Sequence, residues 1–154
     1  MIIRPTPSQL LSSVRDELKS MIVPAVSDPE ALARLGMIDS MLASVAVRCD
    51  NEWLWLHEEI REIEQMAEAM TTSGDPAVVP VAAALQLFRE QRSSGNDLHA
   101  MHEDYNRASE VLSCALEAGM RLGGELRQHA QRVLEGRLRR EVEIRGVFSL
   151  AGRQ

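Results

Sequence analysis

The side chains in this sequence with chemistry to offer are four histidines, two cysteines and a dense set of carboxylates. His99 and His102 stand three apart with Glu103 adjacent, and Glu125 and His129 stand four apart, so each pair falls on one face of a helix. A di-iron site in a four-helix bundle needs a glutamate three residues before a histidine on each of two helices. The residues three before His57, His99, His102 and His129 are Leu54, Asn96, His99 and Leu126, none of them a carboxylate. His-Glu-x-x-His and Cys-x-x-Cys are absent as well. No metal site is expected, and the histidines read as hydrogen-bonding residues on helix edges, with ligand contact as the alternative.

Nucleophilic chemistry has no better footing. Cys49 and Cys114 are isolated in apolar helical patterns, without a nearby histidine or basic run, and are expected to be buried, reduced thiols. There is no Gly-x-Ser-x-Gly elbow. The glycines of Gly119–Gly124 lack the Gly-Lys-Ser/Thr ending of a phosphate loop and follow a helix rather than a strand. No cofactor is expected, and enzymatic activity is not the favoured reading.

The elements that would position these residues are helices. The chain has 154 residues, 45% hydrophobic and only 3% aromatic, and is rich in Leu, Ala, Met, Glu and Arg, which lose little freedom in a helix. That length suits one domain, 1–154, with 146–154 as a possible tail. No apolar run is long enough to span a bilayer, and the first residues lack the order of a secretory signal, so a cytoplasmic protein without membrane association is expected.

The most ordered feature is an apolar seam. Alternate steps of three and four from Leu32 reach Leu35, Asp39, Leu42, Ala46, Cys49, Trp53, Leu56, Ile60, Ile63, Ala67 and Met70, and eleven of these twelve positions are apolar. The phase passes through Asp50-Asn51 without a slip, which predicts one helix over about 29–71 rather than two helices joined by a turn there. Such a helix is roughly 65 Å long, against a radius of gyration of about 15 Å for a domain of this size. Part of it should be covered by a second subunit.

Other boundaries are marked by caps and breakers. Thr6-Pro7-Ser8-Gln9 is a capping box that opens a first helix, carrying Leu10, Leu11, Val14, Leu18, Met21 and Ile22 to about Val23 before Pro24. Ser27-Asp28-Pro29-Glu30 repeats the signature before the long helix. A break at 72–76 precedes a third helix with Val78, Val81, Leu85 and Phe88, in which Pro80 marks the opening turn. Asp97 caps a fourth, with Leu98, Met101, Tyr105, Ala108, Leu112, Ala115, Gly119 and Leu122 inward. Gly123-Gly124 breaks it from a fifth over about 125–144, with Leu126, Ala130, Val133, Leu134, Leu138 and Val142 inward. The expected fold is all-α, an up-down bundle of about five helices with one long helix, forming a dimer.

Charge is distributed unevenly. Residues 1–120 hold 9 basic and 19 acidic side chains, whereas 121–154 hold 8 and 4, so the fifth helix is arginine-rich within an acidic protein. The run Asp50–Glu68 has seven acidic residues against Arg61 alone. It reads either as a solvated face or as the counterpart of Arg127, Arg132, Arg137, Arg139, Arg140 or Arg145, with orientation the gain rather than stability. Nucleic-acid binding is not expected, because the fifth helix interleaves Glu135, Glu141 and Glu143 and has no aromatic residue for stacking. Trp53 lies on the seam and reads as core, whereas Trp55 points off it and, with Leu54 and Met66, marks an apolar patch for a dimer contact or ligand.

Arg4-Pro5-Thr6-Pro7, followed by Leu10-Leu11, Val14 and Val23-Pro24, resembles a family of small uncharacterised bacterial all-helical proteins that begin with an Arg-Pro-Thr helix and continue into a leucine-rich second helix. The likeness covers roughly the first 50 residues; it implies a helical fold and a bacterial origin and supplies no catalytic residues. Two functional classes follow. One is a non-enzymatic accessory or scaffold protein that acts as a homodimer and engages a protein partner. The other is a small-molecule binder or unusual enzyme with an apolar pocket between helices. The candidate ligand or interface residues are Trp53, Trp55, His57, His102, Tyr105 and His129.

Overall fold

The computed structural model describes residues 4–95 and 97–145, so the expected tail at 146–154 lies outside the described residues. The protein is an all-helical bundle of five α-helices, and the described residues contain no strand. These are α1 (Pro7–Glu17), α2 (Pro29–Thr71), α3 (Val79–Glu90), α4 (Leu98–Leu122) and α5 (Gly124–Arg145). Contacts divide the chain into two compact units, one from the described parts of Met1–Glu52 and Arg140–Gln154, the other Trp53–Arg139.

The helix ends follow from local chemistry. Thr6 accepts from the Gln9 N–H at 3.3 Å while the Gln9 side chain accepts from the Thr6 N–H at 2.9 Å, the reciprocal capping box read from the sequence. Asp28, not Ser27, caps α2, taking the Ala31 N–H at 3.1 Å. Asp75 starts a short 3₁₀ turn, Pro76–Val78, that leads into α3, where Pro80 fits the first turn because no N–H is required there. Asp97 caps α4 through the Ala100 N–H at 2.9 Å. Gly123 and Gly124 have φ of 70° and 58°, a left-handed backbone that ends α4 and is natural only to residues without a Cβ.

The first helix departs from expectation near its end. Leu18–Ile22 is a π turn and Val23–Ala25 a 3₁₀ turn, with the Val23 N–H reaching back to the Leu18 carbonyl. Pro24 has no N–H for the Ser20 carbonyl, and the chain adjusts its hydrogen bonding before it exits.

In the unit Trp53–Arg139, the second half of α2 packs with α3, α4 and α5 around a continuous apolar core. Ile63, Met66, Met70, Val81, Val111 and Leu112 are its largest fully buried side chains. Small residues set the spacing: Ala108, Ala115, Ala118 and Gly119 line α4, and a Cβ on Gly119 would lie 3.2 Å from the Arg127 Cα of α5. Ser93 in the α3–α4 connection donates its N–H to the buried Asp104 carboxylate at 2.9 Å, which also takes Arg107 at 3.0 Å. Leu98, expected inward, is exposed at the first residue of α4; Leu138 and Val142, also expected inward, are exposed because the covered stripe of α5 runs through Leu126, Ala130, Val133 and Arg137, and at helical spacing both fall well off it.

In the other unit, α1 and the first half of α2 meet with no described residue fully buried. Asp39, the one polar residue of the seam, is explained here: Arg15 donates to it at 2.7 Å and Lys19 lies at 3.1 Å. The hydrogen bond from Arg15 is the main reason that its carboxyl is held below the ordinary range; Lys19 acts in the same direction, and burial opposes both. A depressed carboxyl contributes stability above the ordinary aspartate value of about 3.9, lost as pH falls through the lower folded value. Asp39→Asn is therefore expected to lower the melting temperature at neutral pH, with the gap to wild type closing as pH falls below about 4 in circular-dichroism melts. A gap that persists unchanged to the lowest pH would assign the loss to packing instead.

Candidate functional site

Two arrangements stand out, one charged and one apolar. The charged one lies inside the unit Trp53–Arg139. Glu59 of α2 is buried, and Arg137 of α5 reaches it through Nε at 2.5 Å. A second guanidinium nitrogen of Arg137 donates to the Ser109 hydroxyl of α4 at 3.0 Å, while Ser109 donates in turn to the Tyr105 carbonyl at 2.8 Å. The guanidinium carbon sits 4.8 Å from the Tyr105 ring centre, within cation–π range. Arginine suits this position because its flat, forked donor set serves a carboxylate, a hydroxyl and an aromatic face at once. Every buried side-chain nitrogen and oxygen among the described residues has a hydrogen-bond partner. The node therefore ties α2, α4 and α5 together.

Part of the acidic run of α2 meets arginines at the end of α3 and just beyond it. Glu64 takes Arg89 at 2.8 Å and Arg92 at 3.3 Å, and Glu68 pairs with Arg89. The expected counterpart, the fifth helix, supplies Arg137. Arg89 and Arg92 lie at the end of α3 and just beyond it, a pairing that net charge along the chain does not reveal.

The six sequence-predicted residues separate. Trp53 and His57 of α2 stack one turn apart, with ring centres 5.2 Å apart and planes within 5°. Both are exposed. The expectation that Trp53 is core is thus corrected, and Trp55 is the more covered of the two tryptophans. A strict seven-residue seam drifts about 20° per heptad on a straight helix, roughly 60° from Leu32 to Trp53. The buried stripe of this half is Glu59, Ile60, Ile63, Met66, Ala67 and Met70, and at helical spacing Trp53 and Trp55 fall on its two edges. Tyr105 belongs to the Arg137 node, whereas His102 of α4 and His129 of α5 are half-buried. Cys49 is exposed, against expectation, although it lies five full turns before the buried Ala67 and shares its face, because it stands in the half of α2 where no described residue is fully buried; Cys114 is half-buried, and desolvation followed by Glu117 and Glu110 pushes its thiol upward. Glu59, Ser109 and Arg137 were not singled out as a site; Glu59 carried a signal as one of the seven acidic residues of the run and Arg137 as one of six arginines that could face it, whereas Ser109 carried none.

The apolar arrangement is on the first half of α2. Met37, Ile38, Met41 and Val45 are all exposed, and their spacing of one, three and four puts them on one face. Polar neighbours flank them: Arg34 bonds to Glu30 at 2.5 Å, and Arg48 pairs with Glu52. The face is distinct from the side that meets α1, where an open groove of about 660 Å³ is lined by residues including Ser8, Ser12, Arg15, Ala46, Val47 and Asn51. A second open groove, about 420 Å³, lies over Thr71, Ala82, Leu85, Gln86, Arg89 and Glu90. None of the six candidate residues lines either groove.

Among the described residues, no group of three or more His, Cys, Asp or Glu is arranged to hold a metal ion. No described helix is long and apolar enough to cross a membrane. Compared with family models, curated proteins and solved structures, the chain matches none.

Proposed function

We propose that this protein is a non-enzymatic helical accessory or scaffold protein that acts as a homodimer. The observation that carries this reading is the contrast between the two units: one has a closed core, whereas the other leaves Met37, Ile38, Met41 and Val45 of α2, Leu10 and Val14 of α1, and Met21 and Ile22 of the π turn that follows it exposed. Isolated exposed apolar residues are ordinary on a surface, but a contiguous helical stripe of them marks a place where protein meets protein. A pair of helices without a buried residue gains little from its own packing and becomes stable by covering that stripe. The same long helix would then serve both as a strut of the closed core and as a contact between copies.

The buried polar groups support a structural role, since the Glu59–Arg137–Ser109 node joins three helices and no buried side-chain nitrogen or oxygen among the described residues lacks a partner. Multi-angle light scattering at micromolar concentration is expected to give twice the 17.1 kDa chain mass. A single species of the chain mass at every accessible concentration would overturn the homodimer.

A further inference from the structure

On the homodimer reading, the way two copies meet follows from the residues along the open face of α2. Glu30, Arg34, Met37, Met41, Ser44 and Arg48 recur in steps of four, three, four, three and four, a heptad seam whose spacing is the same in either direction. Its centre is open, with Met37 61% and Met41 66% exposed, and the exposed Ile38 and Val45 widen the apolar strip along one side. A charged side chain with donors or acceptors to spare stands at each end. The Glu30 side chain is 74% exposed and gives Oε1 to Arg34, which leaves Oε2. Arg48 is 45% exposed and turns Nε and Nη2 to Glu52, which leaves Nη1.

Charge selects among the ways of laying this seam on itself. A parallel, in-register pair sets Glu30, Arg34 and Arg48 each against its own copy, three like-charge contacts at once. An antiparallel pair with Met41 opposite Met41 of the second copy sets Arg34 opposite Arg48 at both ends. A shift that brings Arg34 opposite Glu52 calls on a carboxylate whose side chain is 15% exposed and held within its own chain. The antiparallel pair with Met37 opposite Met41 of the second copy sets Glu30 opposite Arg48, each twice by symmetry. Arg34 then lies opposite Ser44 and lays its aliphatic stem beside Val45. Each Arg48 stays in its own pair with Glu52 and adds the second copy's Glu30.

We infer that the open face of the first half of α2 is a self-recognition surface: two copies pair antiparallel about a two-fold axis level with Asp39, with Met37 against Met41 as the apolar centre and Glu30–Arg48 as the contact that fixes register. The contact is isologous, so it closes at two chains. No side chain has to leave its partner in the protomer to make it.

Two experiments on the full chain test this, with each variant checked for wild-type helicity. In the first, Met37→Cys and Met41→Cys are made separately in a chain that carries Cys49→Ser and Cys114→Ser, then mixed, oxidised and run on a non-reducing gel. The mixture should form a covalent dimer and neither variant alone should, because like positions of the two copies lie about 6 Å further apart along the axis than opposed ones, outside disulfide reach. In the second, sedimentation equilibrium compares Glu30→Arg with Asp50→Arg, which makes the same change in net charge at an exposed position on the side of α2 that meets α1. Glu30→Arg should raise the dimer dissociation constant at least about tenfold and Asp50→Arg should leave it near wild type. If the wild type dimerises but the mixture gives no more covalent dimer than either variant alone, or Glu30→Arg weakens association no more than Asp50→Arg, this pairing is overturned while the homodimer stands. If the wild type is monomeric throughout, both are overturned.

Discussion

Arg137→Ala is expected to destabilise the protein by about 3 kcal/mol in equilibrium urea unfolding, because it takes the guanidinium away from a carboxylate that is almost closed to water. The Glu59 side chain is 4% exposed and that of Arg137 is 20% exposed, so the loss falls at the lower end of the range for broken buried pairs. The Ser109 hydroxyl and the Tyr105 ring lose their partner in the same step. Arg137→Lys should recover only part of the stability, since one ammonium cannot reproduce the Nε contact, the second-nitrogen contact and the stacked plane together. Replacing both charges, as in Glu59→Leu with Arg137→Met, should cost much less than removing either alone. Equal losses in the double and single variants would show that the helices are held at this point by shape rather than by charge.

Met66→Ala should cost about 2 to 5 kcal/mol, whereas Met41→Ala should change the stability of the dilute protein by less than about 0.5 kcal/mol. The two methionines sit on one helix and differ in surroundings: Met66 is fully buried among the core side chains, and Met41 is open. Truncating the first leaves a cavity that close-packed neighbours fill incompletely; truncating the second removes surface already in water. At concentrations that favour association the Met41 variant should fall behind wild type, which separates a role between chains from one within a chain. A large loss for Met41→Ala in dilute solution would place that side chain in the protomer's own packing.

The long helix was legible because its apolar phase runs unbroken through Asp50-Asn51, and a turn there would have reset it. Caps at Thr6 and Asp97 and the paired glycines at 123–124 were legible because each satisfies or frees backbone groups through its own chemistry. The depth of burial along the helix was not. Counting by sevens follows a supercoil, while the packed half of α2 keeps the 3.6-residue period of a straight helix, so Trp53 slides to the edge of the buried face, and Cys49 keeps the phase but lies in the half of the helix where no described residue is fully buried. The partners of the acidic run were also hidden, since the fold brings Arg89 and Arg92 to Glu64 from more than twenty residues away while α5 supplies Arg137. Asp39 looked like a flaw in the seam until Arg15 and Lys19 appeared opposite it.

The cover over the exposed face of α2 can be measured on its own side chains by dilute peroxide oxidation followed by peptide mass spectrometry. Met120, exposed on α4, sets the rate of an open thioether, and the buried Met66 and Met70 set that of a closed one. The expected result is that Met37 and Met41 oxidise as fast as Met120 in dilute protein and slow towards Met66 as concentration rises. Oxidation of Met37 and Met41 at the Met120 rate, unchanged from dilute to concentrated protein, would contradict a second copy at this surface.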